Sequence, residues 1–383
     1  MNIVFISNQP FPIGMAGSKR IRLFAQHLAK NNSVKVIVVG KNNGNNTFKG
    51  VFKKVDFSFT KFNRIQTFLS FFKIKNILKQ NFKTGEQNII FLYDGIGLTN
   101  FLFAALGKKM GYKIVTDVVE DYSVHQEKTS FLLSTLHKIN CFFEKRTFKF
   151  VDGVIVISNC LMTKFERLNF ANNPLILIPV SAENLFQPVV KTKKNDFFTF
   201  IYSGSYGIKD GIDILIGAFD FLTQRHKKVH LILAGKISNS IKNKIAGNKN
   251  IIDVGMVDEN KYFDFIGNAD VLLMTRINSK YANSGFPFKL GEYLATSNAV
   301  IATSISDVEK YLIDKQDVIL AEPSNINSLV QAMEYALSDK ERLISIGING
   351  RKKCEIFFNP KINGELLNNF FTQVFKNDSN ISQ

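Results

Sequence analysis

The chain has 383 residues, of which 45% are hydrophobic and 21% charged, and its formal net charge is +17. That balance excludes a disordered chain and a polytopic membrane protein, and the length suits two domains at roughly 100–200 residues each. Three separated cysteines, Cys141, Cys160 and Cys354, with no CxxC pair, argue against a disulfide scaffold or a cysteine zinc site and for a reducing compartment. The charge is uneven: residues 1–190 hold 25 Lys+Arg against 11 Asp+Glu, residues 191–383 hold 24 against 21, and no acid precedes Asp56. A basic first half fits a domain facing a polyanion or an anionic membrane; a lysine-rich composition with solvated side chains explains it equally well.

Residues 1–6 enter an apolar strand directly, so no signal peptide is read. Strands are expected over 2–6, 33–39, 89–93, 113–117, 153–157 and 175–178, with a helix over 19–31 after the first. The apolar stretch 89–106 contains Asp94, Gly95, Gly97 and Asn100, and reads as strand, turn and helix rather than a membrane span. Between them, 52–83 interleaves eight phenylalanines with eight Lys/Arg. Residues 62, 65, 68, 69 and 72 form one stripe, which fits a basic aromatic face on anionic lipid; phenylalanines packed in the core are the alternative.

The run 186–195, FQPVVKTKKN, reads as a linker. A second series follows, with strands over 197–202, 230–234, 251–254, 271–274, 299–302 and 317–320 and helices over 212–224, 259–267 and 288–296. Beyond Ser324 the chain is expected to be helical to about 375, broken near Pro360, with a polar tail over 377–383. Alternating strands and helices predict an α/β protein with two doubly wound Rossmann-like domains facing a cleft, ligands lying at the carboxyl ends of the strands. The expected boundaries are 1–188, 189–356 and 357–383, the last a C-terminal helix and polar tail.

The richest cluster is Ser284-Gly285-Phe286-Pro287-Phe288-Lys289-Leu290-Gly291-Glu292-Tyr293-Leu294-Ala295. A loop marked by Gly285 and Pro287 precedes a helix start, whose unpaired N–H groups suit phosphate. Lys289 adds a charge there, and Glu292 on the same face can accept both hydroxyls of a ribose. A surface Lys–Glu pair would give the same letters. This stretch resembles the signature of retaining GT-B glycosyltransferases of family 4, the glycosyl transferases group 1: Glu-Gly-Phe-Gly/Pro and then a second Glu, the two acids separated by seven residues. Gly285, Phe286, Pro287 and Glu292 match, whereas Ser284 stands in place of the first acid. A branch with Phe-Pro-x-Lys-Leu-x-Glu-Tyr-Leu-Ala carries the lysine, and 299–303, AVIAT, resembles the strand that follows.

The resemblance extends over nearly the whole chain, and it implies the GT-B fold with a C-terminal helix that returns to the first domain. Residues 200–219 resemble the strand, loop and Lys-Gly helix start that offer an Arg and a Lys to the donor diphosphate; Ser205 replaces the Arg, and Lys209 remains. Gly255, Met256 and Val257 fall in the segment whose backbone receives the nucleobase. Arg276 follows a strand and is expected near phosphate or sugar, a plain surface arginine being the alternative. In the first half, Gly14 and Gly17 match the glycine loop beside phosphates and acceptor, with Ser18 expected to cap the first helix. Glu120 is the preferred contact to sugar or acceptor, followed by Asp121 and His125, structural hydrogen bonding of that loop being the alternative. Glu144 is assigned a structural role.

The resemblance implies transfer of a sugar from a nucleotide-diphosphate donor, UDP or GDP being expected, to a hydroxyl acceptor with retention. Lys289 would stabilise the leaving group and Glu120 would act with it, in surface polysaccharide or glycolipid assembly. No Asp-x-Asp pair, HExxH motif or His/Cys cluster occurs, so no metal or cofactor is expected. The expected partners are the nucleotide-sugar, a glycan or lipid-linked acceptor and an anionic membrane surface, not nucleic acid. The expected location is the cytoplasm or the cytoplasmic face of the inner membrane. The rivals are a noncatalytic nucleotide-sugar-binding subunit, a GT-B epimerase and, from charge alone, a nucleic-acid binder.

Overall fold

A computed structural model describes residues 1–39, 49–60, 67–94, 97–124, 131–168, 173–187 and 196–381. The chain divides into two units, Met1–Pro179 with Pro360–Gln383, and Val180–Asn359. The expected break at 188/189 falls nine residues after the first crossing and that at 356/357 three residues before the second, and residues 188–195 of the expected linker lie outside the described residues.

The first unit contains β1 (Asn2–Ser7), α1 (Ala16–Leu28), β2 (Ser33–Val39), β3 (Lys49–Phe52), β4 (Val55–Thr60), α2 (Thr67–Asn81) and β5 (Asn88–Tyr93). It continues with α3 (Leu98–Lys109), β6 (Lys113–Val118), α4 (Phe131–Thr147), β7 (Gly153–Val156), α5 (Asn159–Arg167) and β8 (Leu175–Leu177). The sheet runs β3-β4-β2-β1-β5-β6-β7-β8 and is parallel except for β3. All residues of β1, β5 and β6 are buried, as expected of a parallel sheet covered on both faces.

The second unit contains β9 (Phe198–Ser203), α6 (Ile212–Arg225), β10 (Val229–Ala234), α7 (Asn239–Ile245), β11 (Ile251–Gly255), α8 (Glu259–Gly267) and β12 (Val271–Met274). Then come α9 (Lys280–Ser284), α10 (Phe288–Ala295), β13 (Ala299–Thr303), α11 (Val308–Tyr311), β14 (Ile319–Ala321), α12 (Ile326–Ser338) and α13 (Lys340–Phe357). Its parallel sheet is ordered β11-β10-β9-β12-β13-β14. Its core gathers apolar residues of the sheet, α6 and α12, Phe200, Leu215, Phe219 and Met333 among them.

The last helix, α14 (Pro360–Ile381), belongs to the first unit, the return expected from the sequence. It buries Leu367, Phe370, Phe371 and Val374, with the Phe371 and Phe91 rings 6.1 Å apart. It runs on to Ile381, so most of the expected polar tail is helical.

Several local expectations are corrected. The long helical stretch breaks first at Asp339, whose φ of −154° is extended and whose Oδ1 accepts the Arg342 N–H at 3.0 Å. The segment 52–83 opens with the tip of a hairpin, β3 and β4, which the sequence pattern does not announce. Its two-residue turn is Lys53-Lys54 at φ +45° and +69°. Turns of this kind usually carry Asn-Gly, so two lysines hide the hairpin from a sequence reading. Phe57 of β4 lies 5.6 Å from Phe11, ring centre to ring centre. Residues 61–66, and with them part of the predicted stripe, lie outside the described residues.

Candidate functional site

In the second unit β9 lies between β10 and β12, so the connections from this centre leave in opposite directions. Crevices at the carboxyl ends of such strands are where α/β sheets take ligands. The glycines that follow β9 and β10 leave no room for a Cβ. A Cβ on Gly204 would lie 2.6 Å from Lys289 Nζ, and one on Gly235, at φ +135°, would lie 2.2 Å from the Gly204 carbonyl oxygen. Glycine at 204 therefore leaves the space into which Lys289 reaches.

Lys289 stands in the first turn of α10, a helix preceded by Pro287, which supplies no capping side chain. Its side chain is 17% exposed, and Nζ lies 3.8 Å from Asp210 Oδ1. Nζ also donates to the Tyr202 hydroxyl at 3.1 Å and sits 4.2 Å from that ring's centre. Burial lowers the Lys289 ammonium to about 8; Arg276 and Lys209 push the same way, while Asp210 and Glu292 oppose.

Around this ammonium the structure collects several expected residues. Lys209 Nζ lies 4.9 Å from the centre of the Tyr281 ring. Arg276, 9% exposed, follows β12, and its Nη1 approaches the Ala282 carbonyl at 3.5 Å. Ser205 is exposed and donates to Asp210 Oδ2 at 3.2 Å. Glu292 is half-buried on α10 and, with burial, raises the Tyr262 phenol well above its usual range.

The rest of the predicted set lies further out or within the core. Ser284 is 1% exposed and donates to the Tyr281 carbonyl at 2.8 Å. Gly285 ends α9, and the Phe286 ring packs against Tyr311 and Phe358 in the core. Gly255, at φ +67°, ends the edge strand β11, and Met256 beyond it is 68% exposed, followed by half-buried Val257.

In the first unit β1 and β5 form the corresponding centre. Gly14 and Gly17 allow close approach: a Cβ would lie 2.2 Å from Ser18 Oγ in the first case and 2.9 Å from the Tyr93 hydroxyl in the second. Ser18 does not cap α1, contrary to expectation. Met15 holds the N-cap position, and Ser18 is fully buried within the helix.

Glu120 is half-buried just past β6. Asp121 accepts from Ser123 N at 3.0 Å and pairs with Lys164 at 2.8 Å; burial alone would raise its carboxyl, but Lys164 and Ser123 hold it below the usual value. His125 lies outside the described residues. Glu144 is raised to about 7 by burial.

Four further groups escaped the sequence reading. Asp210 and Tyr202 flank Lys289, and the only signal was an acid next to Lys209. Asp94, at φ +54° after β5, accepts from the Tyr122 hydroxyl at 2.5 Å, and burial raises it to about 7. Arg20 makes a buried bidentate pair with Asp117, at 2.7 and 3.0 Å, and donates to the carbonyls of Ile178 and Pro179. No group of three or more His, Cys, Asp or Glu that could hold a metal occurs among the described residues.

Residues 198–339 match the family described as Glycosyl transferases group 1. An uncharacterized glycosyltransferase of Methanocaldococcus jannaschii is 25% identical over 211 residues, 54% of this chain and 55% of that protein. The capsular polysaccharide biosynthesis glycosyltransferase CapM of Staphylococcus aureus is 22% identical over 219 residues, 56% of this chain and 53% of the relative. The matches thus span about half the length of these relatives.

Among solved structures, sucrose-phosphate synthase from Thermosynechococcus elongatus superposes with a TM-score of 0.77 at 17% identity, covering 98% of this chain and all of the other. Anabaena HepE, solved in complex with UDP, gives 0.71 at 14% identity, covering 97% and 100%. The two Rossmann-like units have the GT-B fold, and the second carries the match to the glycosyl transferases group 1.

Proposed function

We propose that the protein is a retaining glycosyltransferase that moves a sugar from a nucleoside-diphosphate donor to a hydroxyl acceptor. The observation that carries this reading is Lys289: a buried ammonium in the first turn of α10, at the carboxyl end of β9, with Lys209 and Arg276 beside it. As the sugar's anomeric C–O bond to phosphate breaks, negative charge grows on the diphosphate. A positioned cation and helix-end N–H groups stabilise that charge most where water is excluded. Glu292 would accept the ribose hydroxyls, and the backbone of Gly255, Met256 and Val257 the base. The backbone over 284–286 would border the sugar end, the Ser284 and Phe286 side chains being turned into the core.

The first unit would take the acceptor through Glu120, Asp121 and the segment Gly14–Gly17, where the loop enters α1. The acceptor oxygen forms the new bond to the anomeric carbon and loses its proton; the nucleoside diphosphate departs. Retention rests on the family resemblance. UDP is the preferred donor base because the similarly folded HepE was solved with UDP, and a surface-polysaccharide role is supported by the name of the S. aureus relative.

An anionic membrane would present a lipid-linked acceptor to the first unit. There α2 exposes Phe71 and Phe72 with Lys73, Lys75 and Lys79, and α4 exposes Ile139 and Phe142 with Lys145 and Arg146. Among the described residues no helix is long and apolar enough to cross a membrane.

Thermal shift with UDP, GDP, ADP and dTDP tests the donor site. A nucleotide at about 100 times its dissociation constant adds ~2.7 kcal/mol. A shift with one nucleotide, lost in Glu292→Ala, supports the assignment, and no shift with any of the four sinks it. The serine at 284, buried where the family signature has an acid, favours one second reading: a subunit that binds donor without turnover. Release of nucleotide in the presence of acceptor decides against that.

A further inference from the structure

Resting on the donor-site reading above, we propose that Asp210 is the positioning residue of the diphosphate site. One of its carboxylate oxygens aims the Lys289 ammonium, and the other fixes the turn beneath it. An incoming diphosphate then takes over a cation already in place.

Asp210 is 4% exposed and its backbone is pinned on both sides. Its N–H donates to the Gly207 carbonyl at 2.8 Å, and its own carbonyl accepts the Thr275 hydroxyl at 3.0 Å. Gly211 follows at φ +64°, where a Cβ would lie 2.2 Å from the Thr275 carbonyl oxygen. The carboxylate therefore has little freedom. Oδ2 accepts from Ser205 Oγ and from Gly207 N, both at 3.2 Å. Oδ1 faces Lys289 Nζ at 3.8 Å, and the Tyr202 hydroxyl bonds both Asp210 and Lys289. The groups acting on the ammonium are thus Asp210 and Lys209 from the turn, Arg276 from the end of β12, Glu292 from its own helix and Tyr202 from β9.

A buried lysine without a counter-charge tends to discharge. Asp210 keeps Lys289 protonated at neutral pH while no phosphate is present. At 3.8 Å it makes a loose pair, which a diphosphate with its greater charge displaces. The same carboxylate repels the phosphate. Removing it therefore has opposite consequences on the two sides of the lysine's titration, a signature that a merely structural acid does not give.

The test is calorimetric titration of the intact protein with UDP between pH 7 and 9.5, above the last phosphate ionisation near 6. Wild type should bind UDP at pH 7 and lose affinity by up to tenfold per pH unit above about 8, as Lys289 discharges. In Asp210→Asn the loss should begin at lower pH, with affinity at pH 7 within about threefold of wild type or tighter. Lys289→Arg, which keeps a cation opposite Asp210 and does not discharge, should bind with a flat profile.

If Asp210→Asn weakens binding equally at every pH, the carboxylate is structural and the inference is overturned. If that variant does not fold, Lys289→Arg decides, because a profile sloping like wild type rules out Lys289 as the titrating group. No binding of UDP, GDP, ADP or dTDP by wild type at pH 7 overturns the donor-site reading itself, whereas binding with an unchanged Asp210→Asn profile overturns only this inference.

Discussion

The two sheets end in opposite electrostatics, and opposite to what their units' net charges suggest. The first half of the sequence is strongly basic, yet at the carboxyl ends of β5 and β6 and just past them it gathers Asp94, Asp117, Glu120 and Asp121. The second half is near neutral, yet its sheet leads into Lys209, Arg276 and Lys289. Net charge is set by solvated surface lysines, whereas the strand ends are set by which few side chains the loops turn inward. The acids of the first unit are partly neutralised by Arg20 and Lys164, and Asp94 is raised towards neutrality by burial. In the second unit the cations predominate, with Asp210 among them.

The largest effect should come from removing the cation that makes the acidic end tolerable. Arg20→Ala leaves Asp117 buried without a partner and takes donors from Ile178 and Pro179, costing ~3–5 kcal/mol in urea unfolding. Arg20→Met with Asp117→Leu should recover most of that loss. Next, Lys289→Ala should lower kcat by roughly 10²–10³-fold, the scale of losing one preorganised charge-stabilising group. Turnover at the wild-type rate would remove Lys289 from the chemistry.

Asp94 sharpens the contrast through pH. Its folded carboxyl titrates near 7 instead of 3.8, so the folded protein holds the proton more tightly. The stability tied to this group is fully present below about pH 4 and is lost as pH rises through 7. In Asp94→Asn the melting advantage over wild type should grow by roughly 1–2 kcal/mol between pH 5 and 8, allowing for partial solvent access. An advantage that does not grow would show that Asp94 titrates normally. The smallest stability change, within about 0.5 kcal/mol, is expected for Phe71→Ser with Phe72→Ser on exposed α2. Co-sedimentation with phosphatidylglycerol vesicles should nevertheless fall several-fold, and unchanged sedimentation would refute the membrane reading of that face.

Much of this architecture was legible in the sequence because strands buried on both faces read as apolar runs. The bounds of β2, β12 and α8 match the pattern residue for residue. The hairpin of β3 and β4 was not legible, since Lys53-Lys54 carries none of the residues that usually permit left-handed φ. The helix break at Asp339 was legible and missed: Ser-Asp-Lys-Glu before an apolar run is a capping signal. Lys289 stood out only through its surrounding motif. Asp210 could not stand out, because an acid beside a lysine is the commonest of surface patterns, and its importance lies in the fold that buries it.

The return of α14 has a consequence for the order of synthesis. The first unit is translated first, but Gly153 abuts Phe370 and Val374, and Phe91 abuts Phe371, residues that leave the ribosome more than two hundred positions later. The second unit is complete once Asn359 has emerged, whereas the first must wait with one apolar face open. A nascent chain stalled near residue 359 should therefore expose hydrophobic surface on its earlier half, and chaperones would engage the part of the protein made first.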